Sequence, residues 1–128
     1  MSVTVSFPGG AAVEADVDGH RVRTDQPLPW GDDSAPAPFD LFLASIATCM
    51  GYYALRFCQE RGIATEGLAL SLETVRDEAR KRLATIKVAL KLPPGFPEKY
   101  ADAIRRSVDQ CAVKKHMLEP PAFELTIS

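Results

Sequence analysis

The three cysteines are the residues of this chain with the most distinctive chemistry, and two of them lie in its most apolar segment, PAPFDLFLASIATCMGYYALRFCQERGI. Cys49 and Cys58 are nine residues apart, which on a helix separates them by about 180° around the axis and about 13 Å along it. They therefore face opposite ways and cannot bond to each other. If Cys49 has a redox partner within the chain, that partner must be Cys111. We predict Cys111 on the apolar stripe of a second helix, so the pairing is geometrically possible.

The alternative is that Cys49 is inert, because a free cysteine on an apolar helix face often behaves as a small hydrophobic residue. Cys49 lies about three turns into its predicted helix, beyond the reach of the dipole at the helix N-terminus. A reactive thiolate would therefore need a positively charged neighbour. Arg56 is about 10 Å further along the axis, which is far for a direct pair. Arg21 and Arg23, on the N-terminal strands, are the other candidates.

Other kinds of site have little support in the sequence. It contains no C-x2-4-C or H-x3-5-H spacing, so a zinc site is not expected. It also contains no GxGxxG motif, no P-loop and no serine nucleophile elbow. We therefore expect no metal and no cofactor. Cys49 could attack an acyl group with a histidine as base, but neither His20 nor His116 lies in a recognisable arrangement for this.

Length and composition indicate an ordinary globular protein. A chain of 128 residues with 46% hydrophobic residues fits a single domain spanning residues 1–128. The net charge of −2 gives no reason to expect a nucleic-acid partner. The longest apolar run, Leu41–Leu55, is shorter than the roughly 20 residues of a membrane-spanning helix, so we expect a buried core helix and no membrane association. The start MSVTVSF does not resemble a signal peptide, and we expect a cytoplasmic protein with reduced thiols.

The pattern of apolar residues predicts the order β-β-β-α-β-β-α-β, an α+β fold with two helices on antiparallel sheet. The first 24 residues predict three short strands, with Asp18-Gly19 as a two-residue hairpin turn. A loop with four prolines, Asp25–Pro38, leads to a long first helix over about Phe39–Arg61. A second helix is predicted over about Pro97–Val113, and AFELTIS as the last strand. A β-hairpin is predicted over residues 68–92, and one face of its second strand carries Ala84, Ile86, Val88, Leu90 and Leu92.

Two segments of the chain resemble the OsmC/Ohr family. The stretch SAPAPFDLFLASIATCMGYYALRFCQERGI looks like the long-helix signature of that family, in which a cysteine follows the leading proline by about eleven residues. The stretch QCAVKKHMLEPPAFELTI is similar to the segment that carries the second family cysteine. The predicted order of strands and helices matches as well, so the resemblance covers nearly the whole chain.

The resemblance implies an interlocked α+β homodimer with the long helices at its centre and the sites at the dimer interface. It also implies a thiol-dependent peroxidase. Cys49 would be the peroxidatic cysteine, which attacks the peroxide O–O bond as a thiolate and becomes a sulfenic acid. Cys111 would resolve that acid as a disulfide, and an external dithiol reductant would restore both thiols. Apolar surroundings would favour organic hydroperoxides over hydrogen peroxide.

The start of the long helix departs from the best-studied branch of the family. There a glutamate follows the leading proline and pairs with an arginine, whereas this chain has Phe39 at that position and Asp40 one residue later, as in less-characterised branches. Arg21, Arg23 and Asp40 are the candidates for activating the thiolate or orienting the substrate. A non-catalytic protein that binds a small molecule, and a sensor whose thiol oxidises once, are the alternative functions.

Overall fold

The structure is a computed structural model that describes residues 1–128. It is an α+β fold with two antiparallel sheets, as the sequence pattern predicts. The chain forms two compact units, Met1–Ala44 and Ser45–Ser128, and the boundary falls inside the long helix.

The first unit begins with the three predicted strands, β1 (Val3–Gly9), β2 (Ala12–Val17) and β3 (His20–Thr24). They form an antiparallel sheet in the order β1-β2-β3. The predicted turn between β2 and β3 is confirmed, because Asp18 and Gly19 have φ angles of 50° and 88°. Positive φ at both positions is typical of the two-residue turn whose twist matches that of a hairpin.

The proline-rich loop after β3 is organised around the buried carboxylate of Asp25. This carboxylate accepts hydrogen bonds from the Gln26 N–H at 2.7 Å, the Ser34 N–H at 3.1 Å and the Ser34 hydroxyl at 2.5 Å. The Asp25 N–H donates to the Pro36 carbonyl at 3.2 Å and closes the loop. Trp30 is 75% exposed on this closed loop, so it neither tucks into the surface nor fills a pocket within the chain.

The long helix α1 (Pro38–Glu60) agrees with the prediction to within one residue at each end. Pro38 occupies the first helical position, where its missing N–H costs nothing. The Asp40 side chain reaches back and accepts a hydrogen bond from the Ala37 N–H at 3.3 Å, as in a capping box. Gly62, with a φ of 64°, follows the helix and lets the chain turn away.

By length and composition alone, α1 could cross a membrane. Core helices of globular proteins have the same composition, and α1 buries one stripe of side chains at spacings of three and four residues. The buried residues of α1 are Ile46, Met50, Ala54, Phe57 and Cys58. All five belong to the second unit. They are five of the nine buried apolar residues of the chain.

Antiparallel strands β4 (Ala69–Asp77) and β5 (Arg82–Lys91) form the predicted hairpin. Apolar residues alternate with exposed ones along both strands, so one face of the hairpin is half-buried. Ala84 was expected on that face but is exposed. The reason is an irregularity in the register, which pairs Val75 with Thr85 and Arg76 with Leu83, so that Ala84 has no direct partner.

The prediction of one continuous second helix over about Pro97–Val113 is wrong. A short 3₁₀ turn, Glu98–Tyr100, leads into α2 (Ala101–Val108), and after a bend the chain forms α3 (Ala112–Leu118). Cys111 lies in the bend with φ −45° and ψ 118°, outside helical geometry. Its sulfur accepts a hydrogen bond from the Lys114 N–H at 3.4 Å, so Cys111 is the N-cap of α3 and not part of a continuous apolar stripe.

The predicted last strand is also absent from the single chain. Residues 119–128 include no strand, and Phe123, Leu125 and Ile127 are 93%, 88% and 91% exposed. The alternation of apolar residues is real, but a strand requires a neighbouring strand that pairs with its backbone groups. None of the five strands in this chain supplies one.

Candidate functional site

The second unit brings Cys49 and Cys111 together. Cys49 lies on α1 and is half-buried, whereas Cys111, in the bend between α2 and α3, has no exposed surface. The two sulfurs interact, and the Cys111 side chain helps lower the pKa of the Cys49 thiol. Neither cysteine forms a disulfide here. The arrangement therefore places two thiols next to each other, one accessible and one enclosed.

The N-terminus of α3 faces the two sulfurs. The first backbone N–H groups of a helix have no partner within the helix. In α3, the Lys114 N–H donates to the Cys111 sulfur at 3.4 Å. The backbone N–H groups of Ala112 and Val113 act on Cys49, where they lower the pKa of the thiol.

These contacts shift the pKa values of the two thiols in opposite directions. Burial alone would raise the pKa of Cys49, but hydrogen bonds from the Val113 N–H, the Cys111 thiol and the Ala112 N–H outweigh it and lower that pKa. Burial raises the pKa of Cys111, and the neighbouring Cys49 sulfur raises it further. Cys49 is therefore the more acidic of the two thiols and the better candidate for the reactive thiolate.

Cys58 has the properties of a structural cysteine. It is fully buried, and burial raises the pKa of its thiol, although the charge of Arg61 opposes the rise. A buried thiol with a raised pKa is a poor nucleophile. Cys58 thus provides an internal reference for the reactivity of Cys49.

The two predicted arginines lie on β3 in the first unit and both pair with Glu14. Arg21 Nε is 3.7 Å from Glu14 Oε1, and Arg23 Nη1 is 3.3 Å from Glu14 Oε2. Asp40 belongs to the same unit, where its carboxylate caps α1. The proposed roles of Arg21, Arg23 and Asp40 in activating the thiolate or orienting a substrate stay predictions.

The sequence pattern does not reveal the α3 amides, because it predicts Cys111 inside a continuous helix. Only a cation is then available to activate the thiolate. In the second unit the nearby cation Lys114 pairs with Asp109, and the Lys115 ammonium donates to the Gln110 side chain at 3.1 Å. Each pair joins a residue before Cys111 to a residue after it, so both pairs hold the bend together.

An apolar cleft of about 710 Å³ lies in the second unit, between α1, β5 and the two short helices. Two of its lining residues are close in sequence to the cysteines: Met50 follows Cys49, and Lys114 is three residues after Cys111. Most of the remaining lining is aliphatic, and its charged groups lie on α2, at the end of α2 and on α3. The lining residues of β5 and its end are Ile86, Val88, Leu90 and Leu92, and those of α2, its end and α3 include Ile104, Arg105, Val108, Asp109 and Met117.

The chain contains no group of three or more histidine, cysteine, aspartate or glutamate side chains that could hold a metal ion.

Solved structures share this fold at low sequence identity. A protein from Psychrobacter arcticus, assigned to osmotic stress and detoxification response, is 20% identical and superposes with a TM-score of 0.75 over 90% of this chain and 86% of its own. An OsmC-like protein from Mycoplasma pneumoniae is 14% identical, with a TM-score of 0.73 over 93% and 87%. The organic hydroperoxide resistance protein OhrB of Bacillus subtilis is 20% identical, with a TM-score of 0.52 over 90% and 88%. No curated protein matches the chain.

A mixed α+β fold with two antiparallel sheets and three helices matches the OsmC-like folds among these structures. The profile of the OsmC-like protein family matches residues 31–126, about three quarters of the chain. The chain belongs to the OsmC-like protein family.

Proposed function

We propose that this protein is a thiol-dependent peroxidase that reduces organic hydroperoxides, with Cys49 as the peroxidatic and Cys111 as the resolving cysteine. The observation that carries the proposal is that the two cysteines are neighbours at the N-terminus of α3, where Cys111 and the amides of Ala112 and Val113 lower the pKa of Cys49 and the Lys114 N–H donates to the Cys111 sulfur at 3.4 Å. A thiolate held by several donors is available near neutral pH, and the neighbouring thiol is placed to react with its oxidised form.

The reaction follows in two balanced steps. The Cys49 thiolate attacks the outer oxygen of the hydroperoxide, the O–O bond breaks, and the organic part leaves as an alkoxide that takes up a proton to form an alcohol. Cys49 is then a sulfenic acid. The Cys111 sulfur attacks the Cys49 sulfur, water leaves, and a disulfide forms. An external dithiol returns both residues to thiols and becomes a disulfide itself.

The apolar cleft supports an organic substrate over hydrogen peroxide. A cleft of about 710 Å³ with an aliphatic lining can bury the carbon skeleton of a hydroperoxide. Each buried CH₂ group stabilises the bound state by about 0.8 kcal/mol. Hydrogen peroxide has no apolar part and gains nothing from such a lining. The need for an external dithiol also favours the cytoplasm, where thiols are kept reduced.

Exposed apolar surface supports a homodimer. The accessible surface of the chain is 9786 Å², whereas a monomeric protein of 14.0 kDa exposes about 6,700 Å². The difference is about 3,000 Å² for each chain, so a dimer that buried all of it would bury about 6,000 Å² in total, at the upper end for obligate interfaces. Val3, Val5 and Phe7 on β1 are exposed, as are the alternating apolar residues of the C-terminal segment.

Disulfide mapping tests the peroxidase proposal. Reduced protein is mixed with cumene hydroperoxide or hydrogen peroxide, quenched with an alkylating reagent, and digested for mass spectrometry. We expect the disulfide between Cys49 and Cys111 to form within seconds with the organic peroxide and much more slowly with hydrogen peroxide. Free thiols at both positions under both oxidants would reject the proposal.

The cleft also fits the second candidate function, a protein that binds an apolar small molecule without chemistry. The rate at which Cys49 reacts with an alkylating reagent in the native protein separates the two. In a pure binding protein, Cys49 would react no faster than the buried Cys58. The opposite pKa shifts of these two thiols favour the peroxidase.

A further inference from the structure

Residues 26–34, which we call the Trp30 loop, hold an exposed tryptophan in a fixed position. The N–H groups of Trp30 and Gly31 donate to the Pro27 carbonyl at 3.0 and 3.1 Å. The loop also wraps around the hydrogen-bonded carboxylate of Asp25. A ring held in this way has little conformational freedom to lose when it binds a partner.

Gly31 is the residue that lets the chain fold back next to Trp30. A Cβ atom at this position would lie 2.5 Å from the Asp25 carboxylate and 2.6 Å from the Gln26 carbonyl. Such a close approach of backbone to its neighbours is possible only for glycine. The position of Trp30 is thus fixed by the sequence around it.

The tip of the Trp30 loop is apolar. Trp30 and Leu28, two residues earlier, are both exposed large hydrophobic residues. Exposed apolar groups that lie together mark interaction sites, and tryptophan is among the residue types that contribute most to the energy of an interface. Because the chain leaves this ring uncovered, the group that covers it comes from outside the chain.

The apolar cleft of the second unit is also incompletely covered. Ile86, Val88 and Leu90 line it from β5 and are only half-buried, and Met117 lines it from α3 and is exposed. Arg105 lines the cleft as well, is exposed, and forms no ion pair within the chain. The cleft therefore offers an aliphatic surface and an unpaired guanidinium to a partner.

The loop and the cleft complement each other in charge. The loop carries two exposed carboxylates, those of Asp32 and Asp33, and no lysine or arginine. The cleft carries the cations of Arg105 and Lys114 against the single carboxylate of Asp109. An acidic loop with an apolar tip therefore fits an apolar cleft with a net positive charge.

We propose that the Trp30 loop of each protomer closes the apolar cleft of its partner, so that two identical contacts form in a symmetric dimer. The occupant of the open side of the cleft is thus a second copy of this chain. Each tryptophan would bury about 150–250 Å² of surface, which is part of the excess surface that the single chain exposes. The proposal rests on the homodimer of the proposed function, although not on its peroxidase chemistry.

Closure by the partner would complete the cleft as a binding site. In the single chain the walls come from α1, β5 and the two short helices, so a bound apolar molecule would still contact water on the open side. The Trp30 ring of the partner subunit would exclude that water and bring an aromatic face to the bound molecule. The site would then be complete only in the dimer.

Acrylamide quenching of fluorescence in the full-length protein tests the burial of the ring. Trp30 is the only tryptophan, so the signal reports this one side chain. We expect quenching to be several-fold weaker than that of N-acetyltryptophanamide, whereas a ring that stays 75% exposed would be quenched nearly as well as this reference compound. Quenching equal to that of the reference compound, or a monomeric mass in light scattering, would overturn the proposal.

Two arginine variants show whether the cleft is what covers the ring. Arg105→Glu puts a carboxylate in the cleft facing the acidic loop and should raise the quenching of Trp30 toward that of the reference compound. Arg106→Glu makes the same change outside the cleft lining and should leave the quenching unchanged. Both arginines lie in the last turn of α2, so any effect on the helix is shared. Equal quenching in the two variants would exclude the cleft as the docking site.

Photo-crosslinking identifies the contact directly. The photoreactive residue p-benzoylphenylalanine replaces Trp30 and keeps an aromatic group at the tip of the loop. After irradiation, mass spectrometry of the covalent dimer should place the cross-link on residues 86–92 or 101–117 of the partner. Cross-links confined to other segments, or no covalent dimer, would contradict the docked loop.

The outcomes separate this proposal from the peroxidase. A cross-link to the cleft in protein that does not consume cumene hydroperoxide would support the docked loop and reject the peroxidase. Consumption of the hydroperoxide by protein in which Trp30 is quenched as readily as the reference compound would reject the docked loop and leave the peroxidase standing.

Discussion

Cys49 and Cys111 are neighbours in the second unit, and they differ in burial and in the direction of their pKa shifts. The half-buried Cys49 is the one whose pKa is lowered, so the accessible sulfur is also the better thiolate. The enclosed Cys111 has a raised pKa and is the weaker acid. The two thiols therefore differ in both access and acidity.

The first prediction concerns the pH at which Cys49 becomes reactive. Because only the thiolate reacts with iodoacetamide, the pH profile of alkylation reports the pKa of the thiol. We expect the midpoint for Cys49 to lie below that of a free cysteine, about 8.5, and Cys58 to stay unreactive while the protein is folded. Alkylation at each cysteine is followed by mass spectrometry over a pH series.

Cys111→Ala should move the midpoint for Cys49 upward, because it removes one donor to the thiolate. Cys58→Ala is the matched control and should leave the midpoint unchanged. A midpoint at or above that of a free cysteine in the unaltered protein would contradict the assignment of Cys49 as the activated thiol.

The second prediction separates the two catalytic roles. Cys49→Ser should reduce peroxide turnover by about a thousandfold or more, as expected when a nucleophile is lost. Cys111→Ser should consume one equivalent of cumene hydroperoxide per chain and stop at a sulfenic acid that dimedone traps at Cys49. Peroxide loss is followed with dithiothreitol as reductant, and Cys58→Ala should retain full turnover. Normal turnover in Cys49→Ser would exclude the mechanism.

The elements that have a regular local pattern could be predicted from the sequence. Helix α1 and the first three strands agree with the prediction, because apolar periodicity and turn residues such as Asp18-Gly19 act over a few residues. Ala84 shows the limit of such reasoning. The alternation of apolar residues places Ala84 on the half-buried face of the hairpin. A register irregularity leaves it without a direct partner, and its side chain is exposed.

The pair of cysteines could be predicted, but not the structure around it. The nine-residue spacing on one helix excludes a disulfide between Cys49 and Cys58. Cys111 is then the one possible redox partner of Cys49 within the chain. The bend at Cys111 was missed because cysteine is not among the usual N-cap residues, and its capping role depends on where the sulfur points. The donors to Cys49 are backbone N–H groups, which no side-chain motif reveals.

The last strand could not be predicted from one chain alone. The alternation of Phe123, Leu125 and Ile127 is typical of a strand with one buried face. Whether such a segment pairs depends on a neighbour at the right distance, and the single chain provides none.

The third prediction concerns Asp40, which the structure places as a cap. Asp40→Ala removes the acceptor for the Ala37 N–H and should lower the free energy of unfolding by about 1 kcal/mol. Urea unfolding followed by circular dichroism measures the change, and Asp102→Ala on α2 is a control for loss of an acidic side chain near the start of a helix. A large loss of turnover in fully folded Asp40→Ala would instead assign this residue to the active site.

The fourth prediction uses the loop around Asp25. The Ser34 hydroxyl and the N–H groups of Gln26 and Ser34 hold the pKa of the Asp25 carboxyl below its usual value, although burial opposes them. A carboxyl with a lowered folded-state pKa stabilises the fold at pH values above its unfolded pKa, about 3.9, and that stabilisation is lost as the pH falls through the lower folded value. Trp30, the only tryptophan, reports the loop by fluorescence.

We expect the Trp30 signal to change below pH 4 in the unaltered protein, since protonation of Asp25 breaks the bonds that close the loop. Asp25→Asn should show the altered signal already at neutral pH. Asp33→Asn changes an exposed acid of the same loop and should behave as the unaltered protein does. An identical pH profile in Asp25→Asn would show that the carboxylate does not hold the loop.

The fifth prediction tests the homodimer through the C-terminal segment. Leu125 is 88% exposed in the single chain, and burying a leucine on assembly is worth about 1.5–3 kcal/mol. Leu125→Glu removes that gain and adds a charge that would have to be desolvated, so the dimer should dissociate at concentrations at least about a hundredfold higher. Thr126→Glu adds the same charge on the opposite face of an extended segment and should leave the dimer intact. Light scattering after gel filtration measures the mass, and a Leu125→Glu dimer as stable as that of the unaltered chain would show that this segment lies outside the interface.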